Sequence, residues 1–139
     1  MDKVRLKEDL KRDEGFVPYA YTDSLGYLTI GYGTLIDKRG GGLPEDICDE
    51  LLTRHIEENI IKLNNQLPWL KKHPENVQRA VANMAYQLGI SGLLKFKTTL
   101  RLIEQKRYNE AADNALLSLW ARQTPERASR VTNLIRGKS

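Results

Sequence analysis

Residues 13–33 read DEGFVPYAYTDSLGYLTIGYG, and within this stretch the chain turns from helix to strand. Upstream, Leu6, Leu10 and Glu14 fall at i, i+4 and i+8, so residues 3–14 read as a helix carrying all three on one face directed to the core. Gly15 follows at once, a natural residue for ending a helix. Downstream, tyrosines, β-branched residues and glycines alternate. Asp23-Ser24-Leu25-Gly26 has the make-up of a β-turn, with Asp first and Gly fourth. Beyond it, Leu28, Ile30 and Tyr32 point to one side of a strand, and Tyr27, Thr29, Gly31 and Gly33 to the other. One face is bulky and the other nearly bare backbone, a place where something approaches closely.

Two carboxylates in this stretch admit two readings each. A helix-terminal glutamate ordinarily turns to solvent. Glu14, however, continues the leucine stripe, and the macrodipole disfavours an acid at a helix C-terminus. Partial burial and the dipole would both hold it protonated, as a general acid requires. Asp23 is either turn chemistry, accepting nearby amide bonds, or the ionised second carboxylate of a glycoside-cleaving pair. Thr29 is either a routine strand threonine or a hydroxyl on the bare face, beside Gly31 and Gly33, where an extended polymer could lie.

The rest of the chain is helical in pattern. Pro44 suits the first turn of a helix whose apolar residues run Ile47, Cys48, Leu51, Leu52, His55, Ile56, Ile60 and Leu63. Pro68 and Pro74 bracket a break. Val77, Ala80, Val81, Met84, Ala85 and Leu88 predict a central buried helix ended by Gly89. Phe96, Leu100 and Ile103 mark another, and Tyr108, Ala111, Ala112, Ala115 and Leu119 the next. Thr124-Pro125 supplies an N-cap and first-turn proline for a last helix with Ala128, Val131, Leu134 and Ile135 inward. The class is therefore α+β and mostly helical: one domain over residues 1–139. A small β-containing lobe (16–43) is joined by a long helix (44–66) to a helical lobe made of 67–139 plus 1–14, with a cleft between the lobes.

Bulk properties narrow the function classes. The 139 residues carry a net charge of +4 and a pI near 9.2, which favours an anionic partner. Five of the cations (Arg122, Arg127, Arg130, Arg136, Lys138) lie beyond Trp120 against one acid, Glu126. They are either a solvated helix face or a contact surface. No apolar run approaches the ~20 residues of a membrane span, so stable membrane insertion is not expected. The N-terminus MDKVRLKEDLKRDEG has no apolar core of a signal peptide. The single cysteine, Cys48, forms no internal disulfide, and two histidines far apart offer no zinc site. No metal or organic cofactor is expected.

Eight residues separate Glu14 from Asp23 and five separate Asp23 from Thr29, within DEG and Y-x-D-x-x-G-Y-x-T-I-G-x-G. With NMAYQLG, FKTTLRLIEQKRYNEAA and LWARQTPERASRV following in order, the chain resembles the phage-type (T-even) lysozymes, glycoside hydrolase family 24. The resemblance implies a lysozyme-like two-lobe fold with a small three-stranded antiparallel sheet. It also implies an inverting muramidase, or endolysin, that hydrolyses the β-1,4 bond between N-acetylmuramic acid and N-acetylglucosamine in peptidoglycan and lyses the host. Glu14 matches the general acid, Asp23 the second carboxylate and Thr29 the hydroxyl that helps place the attacking water. Arg127 matches an arginine near the catalytic glutamate, which would lower the pKa of that acid. Tyr86, Gln87, Thr99 and Asn114, with Gly31 and Gly33, resemble residues of the sugar groove; Tyr86 could equally be core packing, and Asn114 a surface amide. Thr34 stands where well-known members carry a histidine of structural role.

The implied partner is peptidoglycan at an anionic cell-wall surface, met as a monomer and without nucleic acid. The implied itinerary is host cytoplasm, then periplasm and cell wall. Two other readings stay open. A lytic transglycosylase would need one acid and no water, against the presence of Asp23 and Thr29. A basic binding module without catalysis would rest on charge alone, with no nucleic-acid motif.

Overall fold

The computed structural model describes residues 2–22, 28–31, 34–37 and 42–138. It divides into two compact units, 1–51 and 52–139, and the boundary falls inside a helix.

In the first unit, α1 (Lys3–Glu14) starts at Asp2, whose carboxylate accepts from the Arg5 amide at 3.1 Å. It ends at Gly15, where φ is +72° and ψ 156°; the Gly15 amide donates to the Lys11 carbonyl at 3.1 Å. That backbone region is open essentially to glycine alone. Leu10 is 48% exposed, so the expected apolar stripe is not buried at that position. The helix periodicity predicts which residues share a face, but not that something covers it.

Three short strands follow: β1 (Val17–Thr22), β2 (Leu28–Gly31) and β3 (Thr34–Asp37). β1 pairs with β2 and β2 with β3, both antiparallel, and each ladder is interrupted by a register shift. The first shift lies between Val17 and Tyr21, around Pro18, which cannot donate to a ladder and sits on an edge strand. α2 (Glu45–Gln66) then opens with Glu45 and Asp46, acids favoured at a helix N-terminus.

The second unit holds the core. Pro68–Lys72 forms a 3₁₀ turn, followed by α3 (Glu75–Leu94), α4 (Lys97–Glu104), α5 (Tyr108–Ala115), α6 (Leu119–Gln123) and α7 (Pro125–Arg136). Val77, Ala80, Val81, Met84 and Ala85 are buried on α3 and meet Ile103, Ala111, Ala112, Ala115, Ala128, Val131 and Ile135. The alanines on α3, α5 and α7 leave room for close helix approach. The larger side chains each contribute about 1.5–3 kcal/mol by burial. Gly89 interrupts α3 with φ +75° and ψ 163°, so its last turn starts afresh, as the glycine predicts.

Two local expectations are corrected. The apolar run from Tyr108 to Leu119 is two helices, because Ser118 is extended (φ −80°, ψ 161°) and serves both sides of the break. Its hydroxyl donates to the Ala115 carbonyl at 2.6 Å and accepts from the Ala121 amide at 3.3 Å. Thr124 does occupy the N-cap position of α7, but its hydroxyl donates to the Trp120 carbonyl at 2.9 Å instead of capping α7. No helix among the described residues is long and apolar enough to cross a membrane.

Candidate active site

In the first unit, Glu14 closes α1, its last turn carrying Lys11 and Arg12. The Glu14 side chain, Asp23 and Gly33 lie outside the described residues. Thr29 sits in β2 opposite Tyr21 and Leu35 and is only 2% exposed. Gly31 ends β2 opposite Val17 with φ +71°, a conformation that side chains rarely adopt.

The other candidates belong to the second unit and gather at two grooves. Thr99, buried on α4, donates from Oγ1 to Asn114 Oδ1 on α5 at 2.7 Å. Both line a groove of about 580 Å³ together with Phe96, Trp120, Lys95 and Lys97. With its oxygen engaged, Asn114 keeps its amide nitrogen as a donor. Trp120, edge-on to Phe96 with ring centroids 5.9 Å apart, donates from Nε1 to Gln87 Oε1 at 2.9 Å. Gln87 is thereby tied to a wall of the same groove. The sequence assigned no role to Trp120, although it lies in a quoted motif. An indole buried beside a polar residue needs a partner for its N–H, and that was the available signal.

Tyr86 and Arg127 line a second groove, of about 400 Å³, with Leu52, Ile56, Ile60 and Asn83. Tyr86 is 44% exposed, which removes the core-packing reading. Arg127 Nε donates to Asn83 Oδ1 at 2.9 Å, one helix holding the guanidinium of another. Of the other C-terminal cations, Arg136 is also engaged: it pairs with Asp113 and donates to the Asn109 carbonyl at 3.2 Å, tying α7 to α5.

A histidine lies away from both grooves. His73 is buried between Trp69 and Tyr108, its Nδ1 2.7 Å from the Tyr108 hydroxyl. Burial, then the nearby Lys106, lower its pKa from the ordinary value, while Glu104 works the other way. Burial raises the Tyr108 hydroxyl. Among the described residues no three His, Cys, Asp or Glu side chains are grouped so as to hold a metal ion.

An aromatic-walled groove with hydroxyl and amide groups along it suits a saccharide, which offers apolar ring faces and polar edges. The family model for phage lysozyme matches residues 11–136. The chain is 33% identical to "Probable T4-type lysozyme 1" of Dictyostelium discoideum, across 94% of this chain and 92% of that protein. It is 32% identical to "Probable T4-type lysozyme 2" of the same organism, across 93% and 92%. It is also 31% identical to the pre-baseplate central spike protein Gp5 of Enterobacteria phage T4, across 95% of this chain and 28% of that larger protein. With the match running from the last turn of α1 to the end of α7, the chain belongs to the phage lysozyme family and is a glycoside hydrolase.

Proposed function

We propose that this lysozyme hydrolyses the β-1,4 bond between N-acetylmuramic acid and N-acetylglucosamine in peptidoglycan, with inversion at the anomeric carbon. Glu14 gives its proton to the leaving oxygen. Asp23 takes a proton from the water that attacks the opposite face, and Thr29 helps to place that water. The observation that carries this is that the family match includes Glu14, Asp23 and Thr29, separated by eight and five residues. Support for sugar binding comes from Thr99 and Asn114 lining one groove and from Gln87 bonded to its Trp120 wall. Tyr86 and Arg127 border the second groove, whose other walls are largely apolar.

The small-lobe sheet of the family is assigned to β1, β2 and β3. The enzyme acts as a monomer in lysis from within, reaching the wall from the host cytoplasm, and its net charge of +4 draws it to the anionic wall. The test is clearing of permeabilised bacterial cells, with mass spectrometry of the sugar products. Hydrolysed muropeptides with reducing ends are expected from the wild type, and loss of clearing by about 10²-fold or more for Glu14→Gln. Anhydro sugars would instead establish a transglycosylase. Equal clearing by the two proteins would sink the assignment of Glu14.

A further inference from the structure

The junction of α5 and α6 presents Leu116, Leu117 and Leu119 to solvent; Leu117 is 78% and Leu119 59% exposed. Clustered exposed leucines mark interaction sites on soluble proteins. The break at Ser118 creates this display, since it takes Leu119 off the inward face that a continuous helix would have given it. Leu117 and Leu119 line the 580 Å³ groove, and so do Lys95 and Lys97. No Asp or Glu lines it among the described residues. Neither lysine is in an ion pair among those residues.

We propose that this rim docks on an anionic phospholipid bilayer, Leu117 and Leu119 entering at the level of the headgroups and Lys95 and Lys97 pairing with lipid phosphates. Protruding leucines beside lysines suit a soft apolar phase under an anionic layer, which needs no shaped receptor cavity. A second copy fits poorly. In a two-fold contact the patch meets itself, which sets lysines against lysines with no carboxylate between them. A soluble polymer that offers anionic groups alone would satisfy the lysines and leave the protruding Leu117 in water. This rim borders the groove proposed for sugar, so lipid and saccharide would compete there; hydrolysis is tested at Glu14 and vesicle binding at the leucines and lysines, so a failure of either is read separately.

The test is co-sedimentation of the full chain with vesicles of phosphatidylcholine alone or mixed equally with phosphatidylglycerol. Wild type, L117S/L119S and K95Q/K97Q are compared, with circular dichroism confirming that each is folded. A wild-type preference for the anionic vesicles is expected, with at least tenfold weaker partitioning for L117S/L119S. K95Q/K97Q is expected to lose most of the preference for phosphatidylglycerol. L117S/L119S retains the full net charge, so its binding as tightly as wild type would reduce the attraction to bulk charge and overturn the proposal. Failure of the wild type to bind either vesicle would also overturn it, as would concentration-dependent dimers in light scattering that vanish in L117S/L119S. Leu117→Trp keeps the site apolar and gives a second readout. Its added emission should shift to the blue on anionic vesicles, and no shift counts against insertion.

Discussion

Thr99 Oγ1 donates a 2.7 Å hydrogen bond to Asn114 Oδ1, joining buried Thr99 of α4 to half-buried Asn114 of α5 in the lining of the larger groove. A neutral side-chain pair of this kind is worth about 0.5–1.5 kcal/mol net, and leaving one buried partner unmet costs more. In a double-mutant cycle with Thr99→Val and Asn114→Ala, a coupling of about 1 kcal/mol is expected in urea unfolding. Additive single effects would show that the bond adds nothing to stability.

Gly89 divides α3 at φ +75° and ψ 163°, where an added Cβ would meet open space. Crowding is therefore not the obstacle to alanine; the backbone conformation is. Gly89→Ala should destabilise by about 1–3 kcal/mol, although alanine is the better helix former in general. A melting temperature equal to wild type would mean that the break can straighten at no cost.

His73 provides a pH dependence with a definite sign. Its pKa is lowered in the folded chain, by burial first and Lys106 second, against Glu104. As pH falls below the ordinary value of about 6.5, the unfolded chain takes up the proton while the folded chain resists. This stability is therefore fully present above that pH and declines as pH falls toward the folded-state pKa. The urea midpoint should drop between pH 7 and 5.5, at no more than about 1.4 kcal/mol per pH unit from one group. His73→Gln should flatten that slope. An undiminished slope in the variant would assign the effect to other groups.

Ser118 joins α5 to α6 through two hydrogen bonds from one hydroxyl, to the Ala115 carbonyl and from the Ala121 amide. Ser118→Ala should cost about 1 kcal/mol, the usual value of an N-cap, and Ser118→Asp should recover part of it. If Asp recovers nothing, the contact to the Ala115 carbonyl, which only a donor can make, is the dominant one.

Salt dependence tests the wall-binding part of the proposed function. A protein of net charge +4 held to an anionic polymer by exposed cations should lyse cells more slowly at 0.5 M than at 0.05 M salt, because screening shortens with ionic strength. Hydrolysis of a short neutral saccharide should change far less. Equal salt sensitivity of both substrates would place the effect on the enzyme itself.

What the amino-acid order determined alone was whatever depends on neighbours within a turn or two. Gly15 ended α1, Gly89 broke α3, and apolar spacing over 45–66 produced α2, because caps, breaks and helical periods are local events. The motif spacing from Glu14 to Thr29 was equally legible in one dimension, and the family follows from it. Where each helix face ends up is a different matter. Leu10 keeps its place on the predicted stripe and is still exposed, while Thr29 is buried. Ser118 and Thr124 carry the residue types of caps, and both hydroxyls donate to carbonyls within one turn behind them, of Ala115 and Trp120. Gln87 found Trp120, Thr99 found Asn114 and His73 found Tyr108 at separations of 33, 15 and 35 residues. Periodicity states which way a side chain leaves its own helix axis. Its partner depends on the distance and rotation between helices, and the buried alanines of α3, α5 and α7 leave room for a close approach.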